Sequence, residues 1–238
     1  MDERAQQSGR LDLPSSPSAA PVRRPLDAFL ILHEAIKFID EHGRDRLTMR
    51  QLGSRLGVEA MALYRYVPGR EQLLDGVVEV VMDELYRDTM LEDRTESWPE
   101  YLSQIAHGVR RIALAHPRVF PLVATRPPAA PWLRPPLRSL RWVEGFLEGL
   151  ARHGFNSGPA VATYRAFSTF LLGHLLLETG TMGTITSGED DIAFLESNDL
   201  ANYPQVMQLS AELSKDAYEE EFRAALEDLI DRVALLRG

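Results

Sequence analysis

The sequence LTMRQLGSRLGVEAMALYRYV, residues 47–67, decides the fold of this 238-residue chain. The spacing of its apolar residues predicts a short helix over residues 47–56, with Thr48 as the N-cap. Gly57 then stands where a left-handed turn ends a helix, and a second short helix is predicted over residues 59–66. The stretch therefore predicts two short helices joined by a glycine turn.

Gly53 lies in the middle of the first of these helices, where glycine costs about 1 kcal/mol relative to alanine. Close approach of a crossing helix is a reason to accept that cost, because a side chain would keep the two helices apart. Two short helices that cross through a glycine turn form a helix-turn-helix, whose second helix enters the major groove of DNA. An ordinary helical hairpin has the same spacing, so the surrounding residues have to decide.

Charge is distributed unevenly along the chain. The formal net charge is −9, yet residues 1–70 carry +2 and residues 71–238 carry −11. Within residues 44–70, six arginines stand against two carboxylates. A basic segment on an acidic chain is the electrostatic footprint of an anion-binding module. On charge alone, a solvated surface of mixed charge is the simpler explanation.

Beyond this segment the apolar spacing is helical nearly everywhere, with no alternating strand pattern and no repeat. We predict an all-α fold in which a three-helix helix-turn-helix domain, residues 26–72, is joined by a long helix to a larger helical domain, residues 73–238. Residues 1–25, rich in proline and serine, are predicted to be a disordered N-terminal arm. The chain has no cysteine, which excludes disulfides, thiolate zinc sites and a cysteine nucleophile.

Two further segments are predicted to be loops. Residues 126–136 hold five prolines, and residues 180–204 are polar and rich in glycine and aspartate. The longest uncharged apolar run, residues 166–177, is too short to cross a bilayer. The N-terminus lacks the basic and apolar regions of a signal peptide. We therefore expect a cytoplasmic protein with no membrane partner.

Several short motifs keep a fixed spacing along the chain. The N-terminal set is Leu47-Thr48, Leu52, Leu56-Gly57-Val58, Leu63-Tyr64, Val67 and Leu73-Leu74-Asp75. The later set is Glu96-Ser97-Trp98, Arg110-Arg111, Thr125-Arg126-Pro127, Gly154-Phe155 and Leu172-Gly173. In these motifs the chain resembles the tetracycline-repressor (TetR) family of bacterial transcription regulators over residues 26–236, most specifically in the N-terminal set.

The resemblance implies a homodimer that places two recognition helices in successive major grooves of a near-palindromic operator in double-stranded DNA. It also implies which side chains contact DNA. Those expected to meet the groove or a nearby phosphate are Arg50, Ala60, Met61, Ala62, Arg65 and Tyr66. Those expected to hold the phosphate backbone are Thr48, Tyr64 and Arg70. Arg70 stands where the family usually has lysine, which keeps the charge and changes the geometry.

The resemblance further implies a small-molecule effector bound in the helical core. Tetracycline-binding members of the family hold a drug–magnesium chelate with His, Asn, Phe, Thr and carboxylate groups. At the matching positions this chain has Tyr86, Ile105, Val109 and Leu122, and only Thr125 is retained. Without an imidazole or carboxylate there, a hard cation has no ligands, so we expect neither a metal site nor a cofactor.

The residues expected to line the effector pocket make it mostly apolar, with a few polar groups to orient the ligand. They are Tyr86, Ile105, Val109, Leu122, Thr125, Phe167, Phe170 and His174. Plain core packing explains each of them, taken singly, at least as well.

The leading interpretation is a homodimeric repressor released from its operator by a small apolar molecule. Two other classes stay open. A helical interaction module whose helix-turn-helix no longer binds DNA would fit the acidic balance. A helical enzyme acting on an anionic substrate would fit the basic segment, although the sequence has no phosphate loop, nucleophile elbow or metal cluster.

Overall fold

The computed structural model describes residues 25–90, 95–126, 130, 132–133, 139–182 and 202–237. Within these ranges the helices are α1 (Ala28–His42), a 3-10 turn (Arg44–Arg46), α2 (Met49–Leu56), α3 (Ala60–Leu63), α4 (Arg70–Met90), α5 (Trp98–Ala115), α6 (Phe120–Thr125), α7 (Leu140–Arg152), α8 (Ser157–Met182), α9 (Pro204–Leu213) and α10 (Tyr218–Arg237). No strand occurs in the described ranges. The predicted all-α class is confirmed.

The first three helices and the start of α4 form a small N-terminal unit, which we call the head. Asp27 caps α1 by accepting the N–H of Leu30 at 2.7 Å, and Gly43 ends it at a φ of +84°. α1 packs against α2 and α4, and α2 packs against α3. The side chains buried between these helices are Ile31, Ala35, Ile39, Leu47, Leu52, Leu63, Leu73 and Leu74. This packing holds α2 and α3 with their outer faces towards solvent.

The second helix of the motif is shorter than the predicted span of residues 59–66. α3 ends at Leu63, and the N–H of Tyr66 donates to the carbonyl of Leu63 at 2.9 Å in a tighter turn. Pro68 prevents the helix from resuming after this turn, because it has no N–H for the carbonyl of Tyr64 and disfavours a helical conformation in Val67.

The larger C-terminal part, which we call the body, packs α5, α7, α8 and α10 around an aromatic core. The ring of Phe146 stacks on Phe167 at 5.2 Å and on Trp142 at 5.5 Å between centroids. The hydroxyl of Tyr101 donates to the carbonyl of Phe146 at 3.1 Å, which ties α5 to α7. These contacts fix the helices that surround the cavity described below.

α8 is long and apolar enough, by length and composition alone, to cross a membrane. The uncharged run of residues 166–177 lies inside this longer helix of 26 residues. A core helix of a soluble protein passes the same test, and one face of α8 is buried through Tyr164, Phe167, Leu171 and Leu175. Only 39 % of its most apolar window is buried in the single chain. Much of the apolar surface of α8 is therefore not covered by the rest of the chain.

Parts of three predictions lie outside the described residues. These are residues 1–24 of the N-terminal arm, most of residues 126–136, and residues 183–201 of the second predicted loop. The start of that loop was wrongly placed, since α8 continues to Met182. In this last turn the Thr181 hydroxyl also donates to the carbonyl of Glu178 at 2.8 Å.

Candidate nucleic-acid interface and ligand cavity

The entry to α2 is fixed by its capping residue. The Thr48 hydroxyl accepts the N–H of Gln51 at 3.2 Å and donates to the Gln51 side-chain oxygen at 2.8 Å. At the other end Gly57 adopts the left-handed conformation, with φ +67° and ψ +33°. Both predicted signals therefore operate as expected, and they set the direction in which the chain enters α3.

The predicted close approach at Gly53 is present. A Cβ atom built on Gly53 would lie 2.8 Å from the carbonyl oxygen of Val58 and 3.2 Å from the backbone nitrogen of Ala60. Both atoms belong to backbone that cannot swing away. Glycine is therefore needed for α2 and α3 to pack at this distance.

The side chains predicted to meet DNA lie on the outer face of the α2–α3 unit. Met61 is 74 % exposed, and Arg50, Arg65, Tyr64 and Tyr66 are also exposed. Leu63, on the opposite face of α3, is fully buried. The unit therefore presents a mixed basic and aromatic surface on a rigid support.

The two alanines of α3 are less accessible than the residues around them. Ala60 and Ala62 are half-buried, and Ala60 packs against the head core. They offer only small apolar contacts at the surface.

Arg70 has an internal role that the sequence did not indicate. Its Nε donates to the carbonyl of Leu47 at 3.2 Å, and its Nη2 donates to the carbonyl of Arg44 at 3.0 Å. The guanidinium thus ties the start of α4 to the turn that precedes α2. A lysine has no such fork of donors, which explains why arginine suits this position.

The basic segment also carries less free positive charge than its number of arginines suggests. Arg55 donates to Glu34 at 2.6 Å and forms an ion pair with Glu41, both on α1. The hydrogen bond from Arg55 lowers the pKa of the Glu41 carboxyl. Arg46, Arg50 and Arg65 are exposed, with no ion pair to any described residue. These three supply the free positive charge of the basic segment.

The body contains a partly open apolar cavity of about 30 Å³, room for one water molecule. Five helices, α4 to α8, contribute its wall. The wall residues are Met82, Leu85, Val109, Phe120, Val123, Trp142, Ser168, Leu171 and Leu172. No ionisable side chain is among them.

Of the eight predicted pocket residues, Val109 lines this cavity. Ile105, Leu122 and Phe167 are buried in the core. These three residues are therefore part of the packed core and do not line the cavity.

The other four predicted pocket residues lie elsewhere. Tyr86 lies beneath the Arg141 guanidinium at 4.1 Å, and the exposed Thr125 donates to the carbonyl of Pro121 at 2.6 Å. Phe170 and His174 turn towards α10, where their rings lie 5.6 and 5.2 Å from that of Phe222.

Trp142 and Ser168 are wall residues that the sequence analysis missed. A buried tryptophan needs a partner for its indole N–H, so an inward-facing Trp142 on α7 was an available signal. Ser168 and its neighbour Thr169 interrupt a mainly apolar stretch of α8, a second available signal. Neither signal points to a cavity unless the packing of the helices is known.

The end of α6 is tied to the start of α4. Arg126 donates twice to the same carboxylate oxygen of Asp75, at 3.0 Å through Nε and at 2.6 Å through Nη2. It also donates to the Glu71 carboxylate at 2.9 Å and to the Glu71 carbonyl at 3.0 Å. Since Phe120 and Val123 of α6 line the cavity, this cluster joins the cavity wall to the helix that enters the head.

Within the described residues, no group of three or more His, Asp or Glu side chains is arranged to hold a metal ion.

Two family models match the chain. The model for "Bacterial regulatory proteins, tetR family" matches residues 31–77, and that for "Tetracyclin repressor-like, C-terminal domain" matches residues 92–235. Together they cover the head and most of the body.

Individual proteins give the same picture. The tetracycline repressor protein class C of Escherichia coli is 27 % identical over 79 % of this chain and 82 % of its own length. An HTH-type transcriptional regulator of Saccharopolyspora erythraea is 28 % identical over 63 % of this chain and 59 % of its own length. The crystal structure of a possible TetR family transcriptional regulator from Streptomyces coelicolor A3(2) superposes with a TM-score of 0.71 at 25 % identity, covering 89 % of this chain and all of that one. The chain therefore belongs to the TetR family, whose members are ligand-responsive, DNA-binding transcriptional regulators.

Proposed function

We propose that the chain is a homodimeric repressor that binds a near-palindromic operator and leaves it when a small, uncharged, mainly apolar molecule enters the body. The observation that carries this proposal is the course of α4. Its first turns bury Leu73 and Leu74 in the head, and Met82 and Leu85 of the same helix line the cavity. One continuous helix therefore connects the cavity in the body with the core of the head.

We assign residues 26–72 to the DNA-binding domain and residues 73–238 to the ligand-binding and dimerisation domain, with residues 1–25 as an N-terminal arm. The matches of the two family models to residues 31–77 and 92–235 support this division. α4 crosses the boundary.

We assign direct readout of the operator to Arg50 and Arg65, with Met61 and Tyr66 contacting the groove beside them. All four are exposed on the outer face of the α2–α3 unit. Arginine donates two hydrogen bonds to the edge of guanine, which gives it base specificity. Ala60 and Ala62 can add only apolar contact, for instance with a thymine methyl group.

Thr48, Tyr64 and Arg70 are assigned to the phosphate backbone, where contacts position the protein without reading sequence. Thr48 can contact a phosphate oxygen by turning its hydroxyl proton from the Gln51 side-chain oxygen to the phosphate, while it still accepts the N–H of Gln51. Arg70 uses two nitrogens for the turn before α2, and its Nη1 lies 3.8 Å from the Glu71 carboxylate, so a phosphate would have to take the place of Glu71 there. Arg70 then contributes to DNA binding partly by holding α2 in position.

The proposed release of the repressor from its operator is inferred from the size of the cavity. A space of about 30 Å³ is far below the roughly 300–1,000 Å³ of small-molecule pockets, so an effector has to move parts of the wall. α6 and α4 both contribute wall residues, and the Arg126–Asp75 ion pair joins them. A shift of α6 is therefore transmitted to α4 and through it to the head.

The second copy is assigned to the exposed faces of α8 and α10, which pack on each other within the chain. Leu177 of α8 and Leu235 of α10 are 71 % and 85 % exposed. Two such pairs would form a four-helix bundle around a twofold axis. The same axis would place the two heads on matching operator half-sites.

Tetracycline is not the effector we propose, although tetracycline repressors are among the relatives. Tyr86 and Leu122 stand at positions where those proteins have groups for the drug–magnesium chelate, and the cavity wall has no oxygen ligand other than the Ser168 hydroxyl. Nor do we propose an enzymatic activity. We place the protein in the cytoplasm with its DNA.

The test is footprinting of DNA around its own gene by the purified chain, with light scattering to measure its mass. We expect one or more short palindromic footprints and a mass twice the 26.8 kDa of the chain. Absence of any footprint would favour the interaction module that no longer binds DNA. A monomer that still protects a palindrome would refute the assignment of α8 and α10.

A further inference from the structure

Two buried polar atoms in the cavity wall make no well-formed hydrogen bond to any described residue, although the Tyr164 hydroxyl, one helical turn before Ser168, is close enough to interact with Ser168. The two atoms are the indole Nε1 of Trp142 and the hydroxyl Oγ of Ser168. The two side chains are 3 % and 2 % exposed. A buried donor without a partner costs about 1–3 kcal/mol, so native proteins rarely keep one without a reason.

The other side chains of the wall contain no hydrogen-bonding oxygen or nitrogen atom. They are Met, Leu, Val and Phe side chains contributed by α4, α5, α6 and α8. The Trp142 ring is held in place by stacking on Phe146 at an interplanar angle of 16°. Indole nitrogen can only donate, whereas a serine hydroxyl can donate or accept.

The cavity is also without charge. Glu178, on the same helix as Ser168 but ten residues further on, is bound by Arg110 at 2.6 Å through Nη2. That separation is about 15 Å along a helix. An ionised ligand in the cavity would therefore have no counter-charge, which is strongly unfavourable in an apolar site.

Resting on the proposed function, we infer that the effector is an uncharged molecule with an apolar body and a hydrogen-bond acceptor, such as a ketone oxygen, that accepts the Trp142 N–H. Ser168 supplies the second hydrogen bond to the same group. The apolar part of the ligand displaces Met82 and Leu172. Methionine is suited to this, because its flexible thioether adapts to irregular shapes.

The test uses three small probes of nearly equal shape: acetophenone, ethylbenzene and benzoate. The quantity measured by calorimetry is the ratio of the ethylbenzene to the acetophenone dissociation constant. Hydration of the carbonyl affects this ratio equally in every variant, so only its change between variants reports the hydrogen bond. Trp142→Phe is expected to lower the ratio about tenfold, and Ser168→Ala about threefold.

Val161→Ala on α8 is the control, because Val161 is 42 % exposed and lies outside the cavity wall, and this variant should leave the ratio as in the wild type. Benzoate is expected to bind at least tenfold more weakly than acetophenone. Ser168→Ala is a small change that keeps the test valid if Trp142→Phe does not fold.

The inference is overturned if the ratio is the same in the wild type and both polar variants, as a structural water held by the two atoms would make it. It is also overturned if benzoate binds as tightly as acetophenone, or if neither neutral probe binds. Operator binding is measured on the same samples. A chain that binds its operator but shows no change in the ratio refutes this inference alone, whereas a chain that binds no DNA refutes the proposed function.

Discussion

Nδ1 of His116 lies 2.7 Å from Oδ2 of Asp40, and this contact joins the corner between α5 and α6 to the end of α1. Arg118, from the same corner, donates to the carbonyls of Asp40 and Glu41 at 3.3 and 2.6 Å. The head is therefore attached to the body at a second place besides α4.

This attachment depends on pH. The hydrogen bond to Asp40 raises the pKa of the His116 imidazole, and Glu84 at 3.8 Å acts in the same direction. A raised pKa means that the stabilisation is complete below the unfolded value of about 6.5 and is lost as pH rises through the folded value. We expect His116→Gln to lower the melting temperature by about 2–4 °C at pH 6, corresponding to about 1 kcal/mol, and by less at pH 8.

Asp40→Asn is the companion variant, because it removes the partner and keeps the imidazole. The pH-dependent part of the difference should disappear in that background. An equal effect of His116→Gln at both pH values would show that the imidazole acts only by packing.

Gly53→Ala should destabilise the head. The new Cβ would meet the carbonyl of Val58, and the expected loss of unfolding free energy is about 1–3 kcal/mol despite the higher helix propensity of alanine. Urea denaturation measures it. Ser54→Ala, at the next and exposed position of α2, is the control and should have little effect. Unchanged or increased stability of Gly53→Ala would mean that α2 and α3 are further apart.

Arg50→Ala should weaken operator binding by about 1–3 kcal/mol and relax the preference at one base pair. The matched control is Arg55→Ala on the same helix, because Arg55 is occupied by Glu34 and Glu41. Arg55→Ala should lower the melting temperature but leave the affinity of the folded protein for the operator nearly unchanged. Equal losses for Arg50→Ala on operator and scrambled DNA would reduce Arg50 to a phosphate contact.

Arg70→Ala should weaken binding to all sequences alike and make the salt dependence shallower. Arg70→Lys separates the two roles of this residue. The lysine should restore the salt dependence, whereas the bonds to the carbonyls of Leu47 and Arg44 are not both recovered and the melting temperature stays low. Full recovery of both properties by lysine would contradict the internal role.

Tetracycline with magnesium should leave the melting temperature unchanged at micromolar concentrations. A ligand at one hundred times its dissociation constant would add about 2.7 kcal/mol to stability, so specific binding is easily detected by thermal unfolding. The class C tetracycline repressor of Escherichia coli serves as the positive control. Protection of this chain would refute the expected absence of a chelate site.

The sequence predicted best what neighbouring residues determine. The cap at Thr48 and the turn at Gly57 depend on residues within four positions, and both occur where expected. Charge was harder to judge, since Arg55 is paired with carboxylates of α1 that lie 14 and 21 residues earlier.

Which residues line the cavity depends on how helices far apart in the sequence pack together. Trp142 and Val109 line the same cavity only because α7 and α5 both pack against α4 and α8, and no spacing along the chain encodes that. For the same reason Phe170 and His174, predicted for the pocket, pack instead against α10.

The second attachment of the head has a consequence for building hybrid regulators. Exchanging the whole head, α1 to α3 with the first turns of α4, for that of a relative would change the operator and leave every wall residue of the cavity in place. We expect such a graft to respond to the effector only if the new head supplies the counterparts of Asp40 for His116 and of Glu71 and Asp75 for Arg126. A transplanted head without these acids would bind its DNA but no longer respond to the occupied body.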